Sequence, residues 1–422
     1  KNLINFFLKM LKNIPIFSKF GFTCSIAFIL LALIGRFLFP LGDEPDWIVR
    51  IPFLKETLMQ GYPVWTPYKY FPETINSYYW TWTCSSASSS PFSVWASIPM
   101  DNARCFESYH QILMRTLIVL VIHTPIFILI TFRRFSFLII NLFSINLKIK
   151  SWNDKCNALC ITLLFPSFIY LSGVLATEQY ILMISSLLIL IFNAPVLLIP
   201  LLFYISYIDL GQFVVVSTFL IILYSYRLSL HFFDLKHVFI FMILIIIFSL
   251  SMGTSIFGYL ANLPIIGGIA SSIGDFYESD FYSINYANKY PTLLRPIMTF
   301  LAMCWISAFQ LKAFPIYIIL GLGFLLMFYK SYLALKIKDS NIEIAFYKEQ
   351  VISRLGGVLC SVFLIILFVS FAPTYSYAKY YIFTLPFYIY LALLIFGKNK
   401  TLAVVLSCTF IMFIFLILMR YI

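Results

Sequence analysis

Residues 20–40 read FGFTCSIAFILLALIGRFLFP, and residues 41–47 continue LGDEPDW. The first stretch holds a single charge, Arg36, and is long enough to cross a hydrocarbon layer as one helix. The second changes solvent at once, with Asp43, Glu44 and Asp46 close together and Trp47 beside them. An apolar helix that opens straight into a carboxylate cluster belongs at a membrane surface. A secretory leader would need a small-residue cleavage site where Arg36, Phe37 and Pro40 stand, so residues 20–40 are read as a retained first span.

Composition extends that reading to the whole chain. Its 422 residues are 62% hydrophobic and 19% aromatic, with 46 Phe and 28 Tyr, and only 11% are charged. That is roughly half the charge of an ordinary soluble domain, and a soluble fold cannot hide so much apolar surface. The expected fold is an all-α polytopic integral membrane protein with about eleven transmembrane helices, within a range of ten to twelve. Residues 1–19 are read as a cytoplasmic interfacial segment, amphipathic through Leu3, Phe6, Phe7 and Met10. Residues 20–422 are read as a single transmembrane domain with external loops at about 41–112 and 258–294.

Charge placement sets the orientation. The net charge of +12 gathers in short stretches between apolar runs: Lys9, Lys12 and Lys19; Arg133, Arg134, Lys148, Lys150 and Lys155; Arg227 and Lys236; Lys330, Lys336 and Lys338; Lys398 and Lys400. This is a positive-inside pattern with a cytoplasmic N-terminus, not the continuous basic face that nucleic acid requires. Spans fit near 114–132, 157–176, 178–193, 195–208, 211–227 and 237–257, the middle ones short and bounded by Pro195, Pro200 and Gly211. The stretch 135–147 is too short to cross and is placed in the interface. The run 295–329, interrupted by Lys312 and Pro315, is read as one crossing plus a half-inserted segment. Final spans fit near 356–372, 380–396 and 401–419.

Most of the eight cysteines lie in apolar runs as small core residues, and no metal-ligand spacing appears. Cys84 and Cys105 share the first external loop, where they are candidates for a disulfide or for two free thiols. The four histidines show no ligand spacing, His231 with Asp234 being the nearest His–acid pair. A Walker loop, a dinucleotide glycine fingerprint and a nucleophile elbow are all missing from the sequence.

The chemistry is sought in the first external loop, which holds seven of the seventeen acidic residues. Asp43, Glu44 and Asp46 are the candidate catalytic group, with Asp43 and Asp46 the metal ligands if a divalent cation takes part. Pro45 suits a helix first turn, so the same acids also suit an N-cap that opens an interfacial helix. Candidate substrate-binding residues line the same face. Arg36 and Arg50 flank the acids, and Glu178 sits in a short turn between apolar helices. Lys289 and Arg295 mark one re-entry into the membrane, and Tyr375, Tyr377 and Lys379 mark another. Aromatic rings with a lone cation suit sugar stacking and pyrophosphate capture, and also an ordinary aromatic belt.

A first span followed at once by acids and a long external loop resembles the plan of the GT-C glycosyltransferases, and the Phe-, Ile-, Tyr- and Asn-rich composition resembles Wzy-type O-antigen or capsule polymerases. The matching residues are Asp43, Glu44 and Asp46, with the stretch after Trp47 similar to the family's interfacial helix. The resemblance implies a bacterial inner-membrane enzyme of surface polysaccharide synthesis. It would transfer a sugar or oligosaccharide from a polyprenyl-(pyro)phosphate donor on the extracytoplasmic face. Its partners would be the polyprenyl-linked substrate, membrane lipids and other polysaccharide-assembly proteins. The rival expectation is a lipid-linked oligosaccharide flippase or secondary transporter, which calls for mid-span charges and two related halves.

Overall fold

The structure, a computed structural model, describes residues 14–38, 123–144, 149–172, 177–208, 210–252, 255–260, 262, 291, 293–303, 313–337, 341–371 and 377–421. Among these residues the chain is almost entirely helical and contains no strand. In hydrocarbon every backbone amide needs an internal partner, which a helix supplies within one segment. Side-chain hydroxyls follow the same rule by folding onto the preceding turn. Thr23 donates to the Lys19 carbonyl at 2.9 Å, Ser249 to Ile245 at 2.8 Å and Ser331 to Met327 at 2.8 Å.

Among the described residues six helices are long and apolar enough to cross a membrane: Gly211–Phe232, Leu235–Met252, Phe314–Lys336, Ile342–Phe371, Ala378–Phe396 and Lys398–Phe415. A seventh is added if His123–Thr131 and Arg133–Phe143 form one bent span, and Lys19–Ile34, Leu182–Ile191 and Pro195–Ser206 are shorter apolar helices. That bend is 99° and falls at Phe132, just before Arg133-Arg134. A double arginine resists continuation into hydrocarbon, and the chain bends where the pair begins.

Residues group into two compact units, Lys1–Val214 with Phe396–Ile422, and Val215–Ile395. In the first, the helices are α1 (Lys19–Leu38), α2 (His123–Thr131), α3 (Arg133–Phe143), α4 (Ile149–Leu163), α5 (Pro166–Ser172), α6 (Thr177–Ser186), α7 (Leu188–Ile191) and α8 (Pro195–Ile208). Prolines open α5 and α8, where a missing N–H costs nothing. Buried α4 is the centre of this unit, with α1, α3, α7 and the closing helix α16 (Lys398–Tyr421) packed on it. Its Trp152 is fully buried, edge-on to Phe137, and donates Nε1–H to the Arg133 carbonyl at 3.1 Å.

Helix α1 is fixed at its start by Ser18. The Ser18 hydroxyl caps the Gly21 amide at 3.1 Å, while the Ser18 amide donates to the Thr131 carbonyl at 2.8 Å. Gly21 then lies directly against the Ile130 backbone, so only a residue without Cβ lets α1 and α2 approach this closely.

The second unit continues with α9 (Leu210–Phe232, from Val215 onward), α10 (Leu235–Met252), α11 (Ser255–Leu260), α12 (Arg295–Met303), α13 (Phe314–Lys336), α14 (Ile342–Phe371) and α15 (Leu385–Phe396). Asn341 caps α14 through its Oδ1, which accepts from the Ile344 amide at 2.9 Å. Helices α10, α12 and α13 all pack on α14. Gly356 of α14 faces the Tyr226 ring and Gly357 faces Phe387, so paired glycines admit two aromatics to the helix surface. Phe239, Phe241, Leu244, Ile247 and Phe248 point outward from α10 on several sides. A helix apolar in all directions has lipid as its solvent.

Within the run 295–329 the described residues form α12 and one helix of crossing length, α13, in which Pro315 takes an N-terminal position.

Candidate functional site

Of the residues singled out in the sequence, Asp43, Glu44, Asp46, Arg50, Cys84, Cys105, Lys289 and Tyr375 lie outside the described residues. Arg36 stands in the last turn of α1 and Glu178 in the first turn of α6. Arg295, Tyr377 and Lys379 are described together with their surroundings, and all three belong to the Val215–Ile395 unit.

Arg295 is the first residue of α12, half-buried, with its amide donating to the Pro291 carbonyl at 3.3 Å. Tyr377 precedes a 3-10 turn, Ala378–Tyr380, in extended conformation. Lys379 lies in that turn, half-buried, with Nζ 5.8 Å from the Tyr380 ring centroid. Helix α12 packs against this turn. Two segments widely separated in sequence therefore adjoin, with Met303 of α12 reaching Thr384 and Phe300 reaching Tyr388. Neither composition nor spacing pairs these segments; the packing of α12 does.

Beneath the turn runs a chain of hydroxyls that the sequence did not single out. Tyr388 donates to Ser361 Oγ at 2.9 Å, Ser361 donates to Thr384 Oγ1 at 2.7 Å, and Thr384 donates to the Tyr381 carbonyl at 2.8 Å. Met303 Sδ, at the end of α12, is 3.7 Å from Thr384 Oγ1. All of these side chains are buried, and the chain ties α12, α14, α15 and the second 3-10 turn, Ile382–Thr384, into one block. In a low-dielectric interior a satisfied network of this kind holds the backbone above it rigid. Phe300 and Phe324, 4.7 Å apart and edge-on, close the block around Tyr388, whose ring centroid is 4.9 Å from Phe324.

Elsewhere in this unit Arg354 is buried against Tyr390, donating Nη1–H to its carbonyl at 3.0 Å with the guanidinium 4.0 Å over its ring. Asp234 meets His237 at 4.0 Å: the helix holding His231 ends at Phe232, whereas Asp234 directly precedes α10, and the His237 amide donates to the Asp234 carbonyl at 2.9 Å. Both partners are exposed, as on a solvated surface. Among the described residues no group of three or more His, Cys, Asp or Glu side chains is arranged to hold a metal ion. Cys24, Cys156, Cys160, Cys360 and Cys408 are free and buried, as expected for core cysteines.

Comparison of the chain with protein-family models, with curated proteins and with solved structures gave no match.

Proposed function

We propose that the chain is a membrane glycosyltransferase or polysaccharide polymerase that uses a polyprenyl-(pyro)phosphate-linked donor at the extracytoplasmic face. The observation that carries this reading is the packing of the helix opened by Arg295 against the turn that holds Lys379. Two cations on adjoining elements, with Tyr377 and Tyr380 beside them, suit a leaving group that gains negative charge as its bond to the sugar breaks.

In the proposed step, Asp43 or Asp46 takes the proton of an acceptor hydroxyl while its oxygen attacks the anomeric carbon. The carbon–oxygen bond to the polyprenyl (pyro)phosphate breaks, and the electron pair leaves with the phosphate. Arg295 holds it by a bidentate fork and Lys379 as a point charge, with a divalent cation as a further source of positive charge. Glu44, Arg36, Arg50, Glu178, Lys289 and Tyr375 are proposed as sugar-binding residues on the strength of their sequence positions.

The test is the affinity of purified protein for the product, a polyprenyl pyrophosphate, in wild type, Arg295→Gln and Lys379→Gln. Each substitution is expected to weaken binding by roughly tenfold, the scale of one charge-assisted hydrogen bond. Unchanged affinity in both variants would remove the basis of the reading.

A second reading has its own support. Helices α4 and α5 break at Pro166, α6 and α7 break at Leu187, and α8 carries Pro200 within it. Broken helices are how transporters build mid-membrane sites, which favours a lipid-linked oligosaccharide flippase as the alternative.

A further inference from the structure

Helices α1, α4 and α16 pack on one another in the first unit, which also contains Arg133 and Lys398. Arg133, which opens α3, is 4% exposed. Its Nε donates to the Ile130 carbonyl at 3.0 Å, and its Nη2 donates to Asn157 Oδ1 at 2.9 Å and to Cys160 Sγ at 3.7 Å. These acceptors are a carbonyl, an amide and a thiol. Nη1 has no acceptor among the described residues. Lys398, the first residue of α16, holds its Nζ 3.4 Å from the ring centroid of Phe20, and the next residue, Gly21, lies against the same Ile130 carbonyl that accepts from Arg133 Nε.

Two like charges therefore share one neighbourhood, one of them buried. Such a pair repels, and burying a guanidinium among neutral partners is costly without a counter-charge. Phe20 and Lys398 each stand in the first turn of an apolar helix, which puts them where headgroups lie and not among lipid tails. Next to them Arg134 is tied down by two hydrogen bonds to the Ile14 carbonyl, at 3.1 Å and 2.8 Å, fixing the chain segment that leads into α1.

We infer that Arg133 and Lys398 form a binding site for the phosphate of an anionic ligand. Nη1 of Arg133 and the Lys398 ammonium are its donors. The inference is independent of the glycosyl-transfer reading, because it uses none of the residues assigned there and is read out by anion binding, not by transfer. An anionic phospholipid and a free phosphate both offer this chemistry.

The experiment is native mass spectrometry of the full chain released from micelles holding equal phosphatidylglycerol and phosphatidylcholine. Wild type, Lys398→Gln and Lys236→Gln are compared. Lys398 and Lys236 are both exposed, so neither substitution disturbs the core. Wild type and Lys236→Gln are expected to retain phosphatidylglycerol in preference to phosphatidylcholine, and Lys398→Gln to lose roughly tenfold of that preference. A parallel thermal-shift titration with inorganic phosphate separates the sources. Stabilisation of wild type but not Lys398→Gln, without lipid preference, assigns the site to free phosphate. Absence of both effects in wild type, or equal losses in the Lys398 and Lys236 variants, would overturn the site.

Discussion

Replacing Gly21 by alanine tests the close approach of α1 and α2 at a point where nothing can give way. A Cβ at residue 21 would run into the Ile130 carbonyl oxygen, lying 2.8 Å from its carbonyl carbon and 3.2 Å from the Thr131 nitrogen. All three obstacles are backbone atoms, so no rotamer change relieves them and the helices must separate. Separation stretches the Ser18–Thr131 backbone hydrogen bond, now 2.8 Å, which anchors the start of α1. Overpacking of this kind costs about 1–3 kcal/mol, and a weakened hydrogen bond adds about 1 kcal/mol. Against that, alanine gains about 1 kcal/mol over glycine in a helix. The net expectation is a loss of about 1–3 kcal/mol, a fall of several degrees in the unfolding midpoint of the detergent-solubilised protein. Gly321→Ala and Gly323→Ala are the controls, since a Cβ at either position meets nothing within 4 Å. They should leave the midpoint unchanged or raise it. A Gly21→Ala protein as stable as those controls would refute the packing argument.

Other consequences are equally direct. Thr384→Val removes the acceptor of Ser361 and the donor to Tyr381 together, and should cost about 1–3 kcal/mol in the same melting assay, whereas Thr384→Ser should recover most of it. Gly356→Val would drive a side chain into the Tyr226 ring; the expected drop in midpoint should largely disappear in a Gly356→Val, Tyr226→Ala double variant if the clash is the cause. Lys379→Gln should lower glycosyl transfer by roughly tenfold while leaving the melting midpoint within a degree or two, measured on one preparation.

Much of the helical plan could be read from the sequence because lipid imposes a simple rule on composition. The expected spans 237–257 and 380–396 correspond to helices Leu235–Met252 and Ala378–Phe396. The bend at Arg133-Arg134 was also legible, because an arginine pair carries a physical meaning there. Helix α14 runs from Ile342, well before the expected start at 356, since its polar first turns carry no hydropathy signal although Asn341 marks the cap. Gly21 and Gly321 look alike in sequence, and only the neighbouring chain distinguishes a contact glycine from an open one. Arg295 and Lys379 stood out one at a time, each as a cation beside an apolar run. The packing of α12 on the turn that holds Lys379 was not legible, nor was the link between Ser361, Thr384 and Tyr388, each a lone hydroxyl inside an apolar run. Arg133 announced itself only as one of a basic group; its burial beside Cys160 depends on how α3 and α4 meet.

The central claim is transfer chemistry, and it is tested most directly in proteoliposomes that hold purified protein and a labelled polyprenyl-pyrophosphate sugar. Wild type should form extended glycan and release polyprenyl pyrophosphate, and Asp43→Asn should form none at equal protein level. Movement of the intact lipid-linked sugar across the bilayer, with no new glycosidic bond in either protein, would contradict the account and establish the flippase reading.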